Sequence, residues 1–198
     1  MSALVLASAS PARKAMLEAA GVAAEVEPAR VDEAAVKAAL RAEGASARDQ
    51  ADALAELKAL RVSARRPGWM VLGADQVLEL EGEVLDKPAD RREARAQLER
   101  LSGRRHRLLS AAVIAEDGQP VWRHVGRAEL EMRPLGPGFI DGYLDRVGQA
   151  ALCSVGAYQV EGLGVQLFAR IGGDWFTVLG LPLLEVLAFL RQRGMLDA

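Results

Sequence analysis

Apolar and polar positions change period several times along this chain. Ala3 to Ala7 is a short apolar run and reads as a buried first strand. After the small-polar loop Ser8-Ala9-Ser10, Met16, Leu17 and Ala20 recur at helical spacing. Ser10 suits the N-cap, Pro11 the first helical position and Gly21 the stop. Val22 to Val26 reads as a second strand, and Pro28 to Glu33 as a loop. Asp32 is placed to cap a helix to about Glu43, and Ser46 a second one carrying Ala51, Leu54, Leu57, Lys58 and Val62. The alanines of residues 34–64 express helix propensity.

Met70-Val71-Leu72 is again a short apolar run, bounded by Pro67-Gly68 and Gly73. It predicts a strand with Asp75 at its end and Gln76 beside it. The chain then runs Val77 to Leu80, turns at Glu81-Gly82 and returns as Glu83 to Pro88, a hairpin. Asp90 is placed to cap a helix through Leu101. Strands are predicted over His106–Ala115, Val121–Val125 and Ala128–Arg133, then a helix over Phe139–Arg146. Residues 151–164 are punctuated by glycine and read as a loop. Val165–Ile171 and Trp175–Val178 read as a hairpin about Gly172-Gly173, before a last helix reaching Arg193. Helices and strands interleave, hairpins with crossovers, so the class is α/β with a mixed sheet.

Composition narrows the picture. At 198 residues, 51% hydrophobic and 26% charged, the chain reads as one globular domain over 1–198, with room for two lobes about a central cleft. A net charge of −2, with both signs mixed, gives no footprint for nucleic acid or an anionic membrane. A single cysteine, Cys153, excludes an internal disulfide and reads as a small buried hydrophobe. The Ala7-Ser8-Ala9 site lacks the long apolar run of a secretory signal, and Pro182 and Glu185 interrupt the apolar run Phe176–Leu190. A cytoplasmic protein is therefore expected. His106 and His124 lack partners at metal-ligand spacing and read as structural or exposed.

Two stretches carry candidate chemistry. The strand, serine loop and helix start at 4–14 form a potential anion site, since free N–H groups and the helix dipole favour negative charge. Arg13 and Lys14 oppose that dipole, which makes sense if an anion sits between them; ordinary surface charge is the alternative. The 71–88 hairpin gathers carboxylates, an amide and Lys87 around the small residues Gly73-Ala74. Carboxylates hold hard cations and lysine meets phosphate, so this suits metal-assisted phosphate chemistry. A solvated hairpin with charged tips would have the same composition, and Lys58 could be a solvated helix residue.

Three stretches together resemble the Maf family of nucleoside triphosphate pyrophosphatases: L-V-L-A-S-A-S-P-A-R-K-A-M-L at 4–17, G-A-D-Q-V…G-E-V-L-D-K-P at 73–88 leading into L-S-G-R, and G-A-Y-Q-V-E-G-L-G…V-L-G-L-P-L at 156–183. The resemblance implies an elongated α/β fold, Maf/ITPase-like, with a mixed β-sheet flanked by helices, in a homodimer. It implies hydrolysis of a nucleoside triphosphate between the α- and β-phosphates with Mg²⁺ or Mn²⁺. It implies Asp75 as proton acceptor, with Arg13, Glu33, Lys58, Glu83 and Lys87 as further site residues. Ser8, Ser10 and Arg13 would then hold phosphates. Glu33 and Asp75 would share the cation. Lys58 and Lys87 would neutralise the leaving pyrophosphate.

Gln76 and Glu161 resemble the pair in the branch acting on 7-methyl-GTP, where the dTTP and UTP branch has threonine and glutamine. A carboxylate at 161 can accept two N–H donors from guanine. Ala12 departs from that branch, which carries a tryptophan able to stack on the methylated base; Trp69, Trp122 and Trp175 are the candidate replacements. Three readings stand: a pyrophosphatase of non-standard nucleotides such as 7-methyl-GTP, a dTTP/UTP pyrophosphatase, and a nucleotide-binding regulator of cell division without turnover.

Overall fold

The computed structural model describes residues 4–197, so the expected start of the first strand at Ala3 lies outside them. Seven strands form one mixed sheet: β1 (Leu4–Leu6), β2 (Ala24–Val26), β3 (Met70–Leu80), β4 (Glu83–Leu85), β5 (Arg105–Glu116), β6 (Gln119–Met132) and β7 (Phe168–Gly172). Their order is β2-β1-β3-β5-β6-β7, with β4 paired to β3. β1 is parallel to β2 and β3; all other pairs are antiparallel. The helices are α1 (Pro11–Ala19), α2 (Glu33–Ala42), α3 (Ala47–Ser63), α4 (Arg91–Leu101), α5 (Pro137–Val147), α6 (Trp175–Val178) and α7 (Leu183–Gln192). Serine and aspartate caps at Ser10, Asp32, Ser46 and Asp90 set four helix starts, as the sequence predicts. Among the described residues no helix is long and apolar enough to cross a membrane.

The strand β3 organises the molecule. It is buried on both faces along nearly its whole length, so it reads as a continuous apolar run. Its even positions Met70, Leu72 and Ala74 enter a core with α1 and α7, while Leu78 and Leu80 enter a second core with α4 and α5. Position 76 lies between the two cores and is a polar glutamine. The odd positions face α3. There Ala51, Ala55 and Ala59 form a small-residue stripe, and Gly73 allows the helix backbone to lie directly on the strand. A Cβ at Gly73 would sit 2.2 Å from the carbonyl oxygen of Ala55.

Five expectations are corrected. Asp75 is not at a strand end. Its strand continues to Leu80 because β5 pairs with it from Val71 to Glu79. Only β1 stops beside it, at Leu6. The strands expected at Val121–Val125 and Ala128–Arg133 are one, unbroken at Gly126, where the missing side chain makes room for Thr177. Trp175–Val178 is a helical turn capped by Asp174, not a strand. Residues 163–167 are 3₁₀ turn, so β7 starts only at Phe168. Cys153 is exposed, not buried, because it ends an isolated 3₁₀ turn on the surface.

Both histidines are structural. His124 lies half-exposed, 3.8 Å from Glu185. His106 is buried in the second core, where its Nε2 is 2.8 Å from the Tyr158 hydroxyl. Burial pushes the His106 imidazole down to about 4 and the Tyr158 phenol well above its usual range. The folded imidazole therefore resists protonation that the unfolded chain accepts, so stability falls as pH drops from 6.5 towards 4. Linkage of that size amounts to about 2 kcal/mol by pH 5. Unfolding free energies from urea titrations at pH 7 and pH 5 should carry a difference of this size in the wild type, and His106→Gln should reduce it.

Candidate active site

Where β1 ends and β3 runs on, the sheet leaves one flank of β3 open. In open α/β sheets this position, beyond the carboxyl end of a strand, is where ligands bind. A cleft of about 480 Å³ opens here. It is lined by the β1–α1 loop, by Glu33, Lys58, Asp75, Gln76 and Lys87, and by residues 152–161 and 178–180.

Asp75 is an odd position of β3 and therefore meets α3. Lys58 lies on the buried face of α3, one turn from Leu54 and Val62, and its stem is packed away from water. Its Nζ is 2.6 Å from Asp75 Oδ1 and 2.7 Å from Glu33 Oε1. The lysine and aspartate are almost fully buried, while Glu33, on the first turn of α2, is half-exposed. Burial works against ionisation of Glu33, but the hydrogen bond and charge of Lys58, with Lys37 and Lys87, outweigh it and hold its carboxyl below the usual range. The second Asp75 oxygen, Oδ2, is buried without a hydrogen-bond partner. A carboxylate oxygen in that state needs a proton, a cation or a donor from a ligand.

On the other side of the cleft, Arg13 is buried and occupied by the protein. Its Nε donates to Gly180 O at 2.8 Å, and its Nη1 donates to Ser8 Oγ and Ala74 O at 3.0 Å. Ala74 lies beyond the end of β1, so its carbonyl has no strand partner and Arg13 satisfies it. Burial lowers the Arg13 pKa, and the nearby charges of Asp75 and Glu33 act against that. Ser10 caps α1, and Ser8 accepts from the Ser10 N–H. Only the Nη2 end of Arg13 is left for a ligand.

Gln76 points the opposite way from Asp75, into the turn after α6. Its Nε2 donates to Thr177 O, Val178 O and Ser110 Oγ at 3.0–3.2 Å. Ser110 in turn donates to Thr177 O at 2.7 Å. Two of these partners are carbonyls and can only accept, which fixes the amide's orientation. The Gln76 side chain thus offers the cleft an acceptor, Oε1, and no donor.

The cleft gathers ten of the eleven residues expected from sequence. Ser8, Ser10, Ala12, Arg13, Glu33, Lys58, Asp75, Gln76, Lys87 and Glu161 all line it. Glu83 does not. It sits at the exposed start of β4 and is ion-paired to Arg100 at 2.5 Å, on α4 and away from the cleft. None of the three tryptophans lines it either. Trp122 stacks on Phe189 in the first core, Trp69 packs beneath Arg66, and Trp175 is exposed on α6. Tyr158 is the aromatic wall instead. Lys37 also faces the cleft and was not singled out from sequence; its spacing of one turn from Glu33 was the available signal. The carbonyls of 177, 178 and 180 leave no trace in sequence.

The profile described as Maf-like protein matches residues 3–193. This chain belongs to the Maf-like family. It is 55% identical over 195 residues to nucleoside triphosphate pyrophosphatase 1 from Jannaschia sp. (strain CCS1), covering 98% of both chains. It is 57% identical to the 7-methyl-GTP pyrophosphatase of Mesorhizobium japonicum and 52% identical to that of Brucella abortus, each over 98% of both chains. Within this Maf-like chain the loop 4–14 and the β3–β4 hairpin meet at one cleft, which explains why residues so far apart in sequence resemble the family together.

The orientation of Gln76 has a measurable consequence. Gln76→Glu replaces a donor with a charged acceptor facing three oxygens, and should lower stability by about 2 kcal/mol at pH 7. The loss should shrink on acidification, as the new carboxyl takes up a proton. A urea midpoint equal to wild type at pH 7 would show that the amide is turned the other way.

Proposed function

We propose that this cleft hydrolyses nucleoside triphosphates between the α- and β-phosphates, releasing the monophosphate and pyrophosphate. The observation that carries the reading is the juxtaposition of the Lys58-bridged pair Asp75 and Glu33 with the serine-rich start of α1 across one cleft. Family membership and the names of the close relatives support it.

In this reading Asp75 Oδ2 is the proton acceptor. It is buried, unpaired and beside the cleft, as a general base must be. Water attacks the α-phosphorus, its proton passes to Asp75, and the bond to the bridging oxygen of the β-phosphate breaks. Ser8, Ser10, the N–H groups of α1 and the free end of Arg13 hold phosphate oxygens. Lys87 is exposed at the cleft mouth and neutralises charge on the departing pyrophosphate. Lys58, drawn between two carboxylates, holds both in place.

A divalent cation, Mg²⁺ or Mn²⁺, fits these residues. Among the described residues no cluster of three or more metal-ligating side chains exists. Two carboxylates with one unpaired buried oxygen suit Mg²⁺, which takes one or two carboxylates and completes its shell with water and substrate phosphates. Glu33 and Asp75 would hold it, and bound there it would polarise the phosphates. The reading extends to a cytoplasmic homodimer.

For the base, Glu161 at the far end of the cleft suits the two donors of a guanine, which favours 7-methyl-GTP or a related purine. Small Ala12 leaves the cleft without a tryptophan, so discrimination between GTP and its 7-methyl form rests on Tyr158 and Glu161. A dTTP/UTP preference is the competing reading, separated by a panel of triphosphates assayed for pyrophosphate release. Glu161→Gln should lower kcat/KM for the guanine substrate far more than for UTP.

Asp75→Asn should cut turnover by about a hundredfold or more while the folded protein persists. Near-normal turnover would remove Asp75 from the role of base. In ¹⁸O-labelled water the label should enter the monophosphate; label in pyrophosphate would place the attack at the β-phosphorus.

A further inference from the structure

The helix α2 is held in an unusual way. None of its residues is buried, although it carries Glu33 into the cleft. None of its side chains packs on any of the four hydrophobic clusters of the molecule. Its polar ties to the rest of the protein are ionic and lie on one stripe, Glu33, Lys37 and Arg41, spaced one turn apart, with Val36 and Leu40 half-buried beside it. Glu33 meets Lys58 at 2.7 Å. Lys37 and Arg41 both meet Asp86, at 3.0 and 2.6 Å on its two oxygens.

Asp86 is not a cleft residue. It precedes Lys87 at the exit of β4, and its own carbonyl is anchored by Gln97 Nε2 on α4 at 2.8 Å. One residue thus joins α2, the segment carrying Lys87 and α4. Burial works against ionisation of Asp86, and the hydrogen bonds and charges of Arg41 and Lys37 outweigh it.

We propose that Asp86 is a positioning residue: its carboxylate clasps Lys37 and Arg41, docks α2 over the cleft, and so delivers Glu33 to Lys58 and Asp75. A helix with no fully buried residue gains only modest apolar anchoring, here from Val36 and Leu40, and so leans on such ties. Ion pairs this exposed are individually weak, so the clasp is reversible and α2 can lift to admit a bulky anion and then re-seat. The clasp also ties Glu33 to Lys87 through adjacent residues, so the two ends of the phosphate path are set by one contact.

The catalytic part of this proposal rests on the pyrophosphatase reading; the docking part does not, and the test separates them. In the full chain, amide hydrogen exchange is measured over residues 33–42 in wild type, Asp86→Ala, Asp86→Glu and Arg41→Ala. Asp86→Ala should speed exchange in α2 by about fivefold while α3 and α4 are unchanged. Asp86→Glu, which can still reach both cations, should restore protection. Arg41→Ala leaves the Asp86 backbone contacts intact and should act in the same direction, which keeps the test available if Asp86→Ala does not fold. With the triphosphate that wild type turns over best, Asp86→Ala should lower kcat by a similar factor at saturating substrate, with Asp86→Glu recovering it.

Unchanged α2 exchange in both Asp86→Ala and Arg41→Ala would overturn the clasp, whatever happens to activity. Faster α2 exchange with unchanged kcat would overturn the positioning role. If wild type releases no pyrophosphate from any triphosphate, the pyrophosphatase reading fails, and the exchange data still decide the docking.

Discussion

Everything at the cleft depends on one ammonium group placed between two carboxylates. Lys58, Asp75 and Glu33 come from a helix, the central strand and a second helix, and the buried lysine and aspartate would each alone be a costly charge in a poorly solvated place. Together they are compensated, with one carboxylate oxygen left over. Their spacing is set by the backbone. Because position 73 has no side chain, α3 lies directly on β3, and Lys58 has little freedom in where it meets the strand. Removing Lys58 leaves two carboxylates facing each other with no cation between them, so the cluster depends on the lysine in a way that exposed ion pairs do not.

The opposite wall follows a different rule. The end of α6 and the turn after it present the carbonyls of 177, 178 and 180 to side chains, although Thr177 O also accepts the Gly180 N–H. Arg13 and Gln76 satisfy them, and in doing so both side chains become fixed. Their polarity towards the cleft is therefore decided by the backbone behind them: Arg13 keeps one free end, and Gln76 keeps only its oxygen. The two hydrophobic cores meet at this seam, and Gln76 is the polar residue that β3 places between them.

Much of this was legible in the sequence, and the failures have definite causes. Caps gave four helix starts, because a serine or aspartate before a helical period has a local, sequence-near partner. Ten of the expected residues line one cleft, since they fall in stretches whose residue types serve anions and cations. Asp75 was expected at a strand end because the apolar run stops there, whereas pairing with β5 carries the strand on. Gly126 suggested a break in β6 and instead makes room for Thr177. Trp175–Val178 has strand-like composition, but the Asp174 cap and a short span favour a helical turn. Glu83 has the right chemistry in the right motif, yet pairs outward with Arg100. The roles of Asp86 and of the 177–180 carbonyls are contacts across the fold, which neither periodicity nor residue type encodes.

The two ends of the cleft differ in how they are built. The end with Asp75 and Lys58 rests on an eleven-residue strand and a seventeen-residue helix. The end with Glu161 rests on short 3₁₀ turns between residues 148 and 167, which pack on the second core through Val155, Ala157, Tyr158 and Val160. Substitutions at the exposed positions of the turns, Glu161 among them, disturb few long-range contacts, whereas substitutions in the strand disturb many. Such a division lets a lineage explore new nucleobases while the hydrolytic step is preserved.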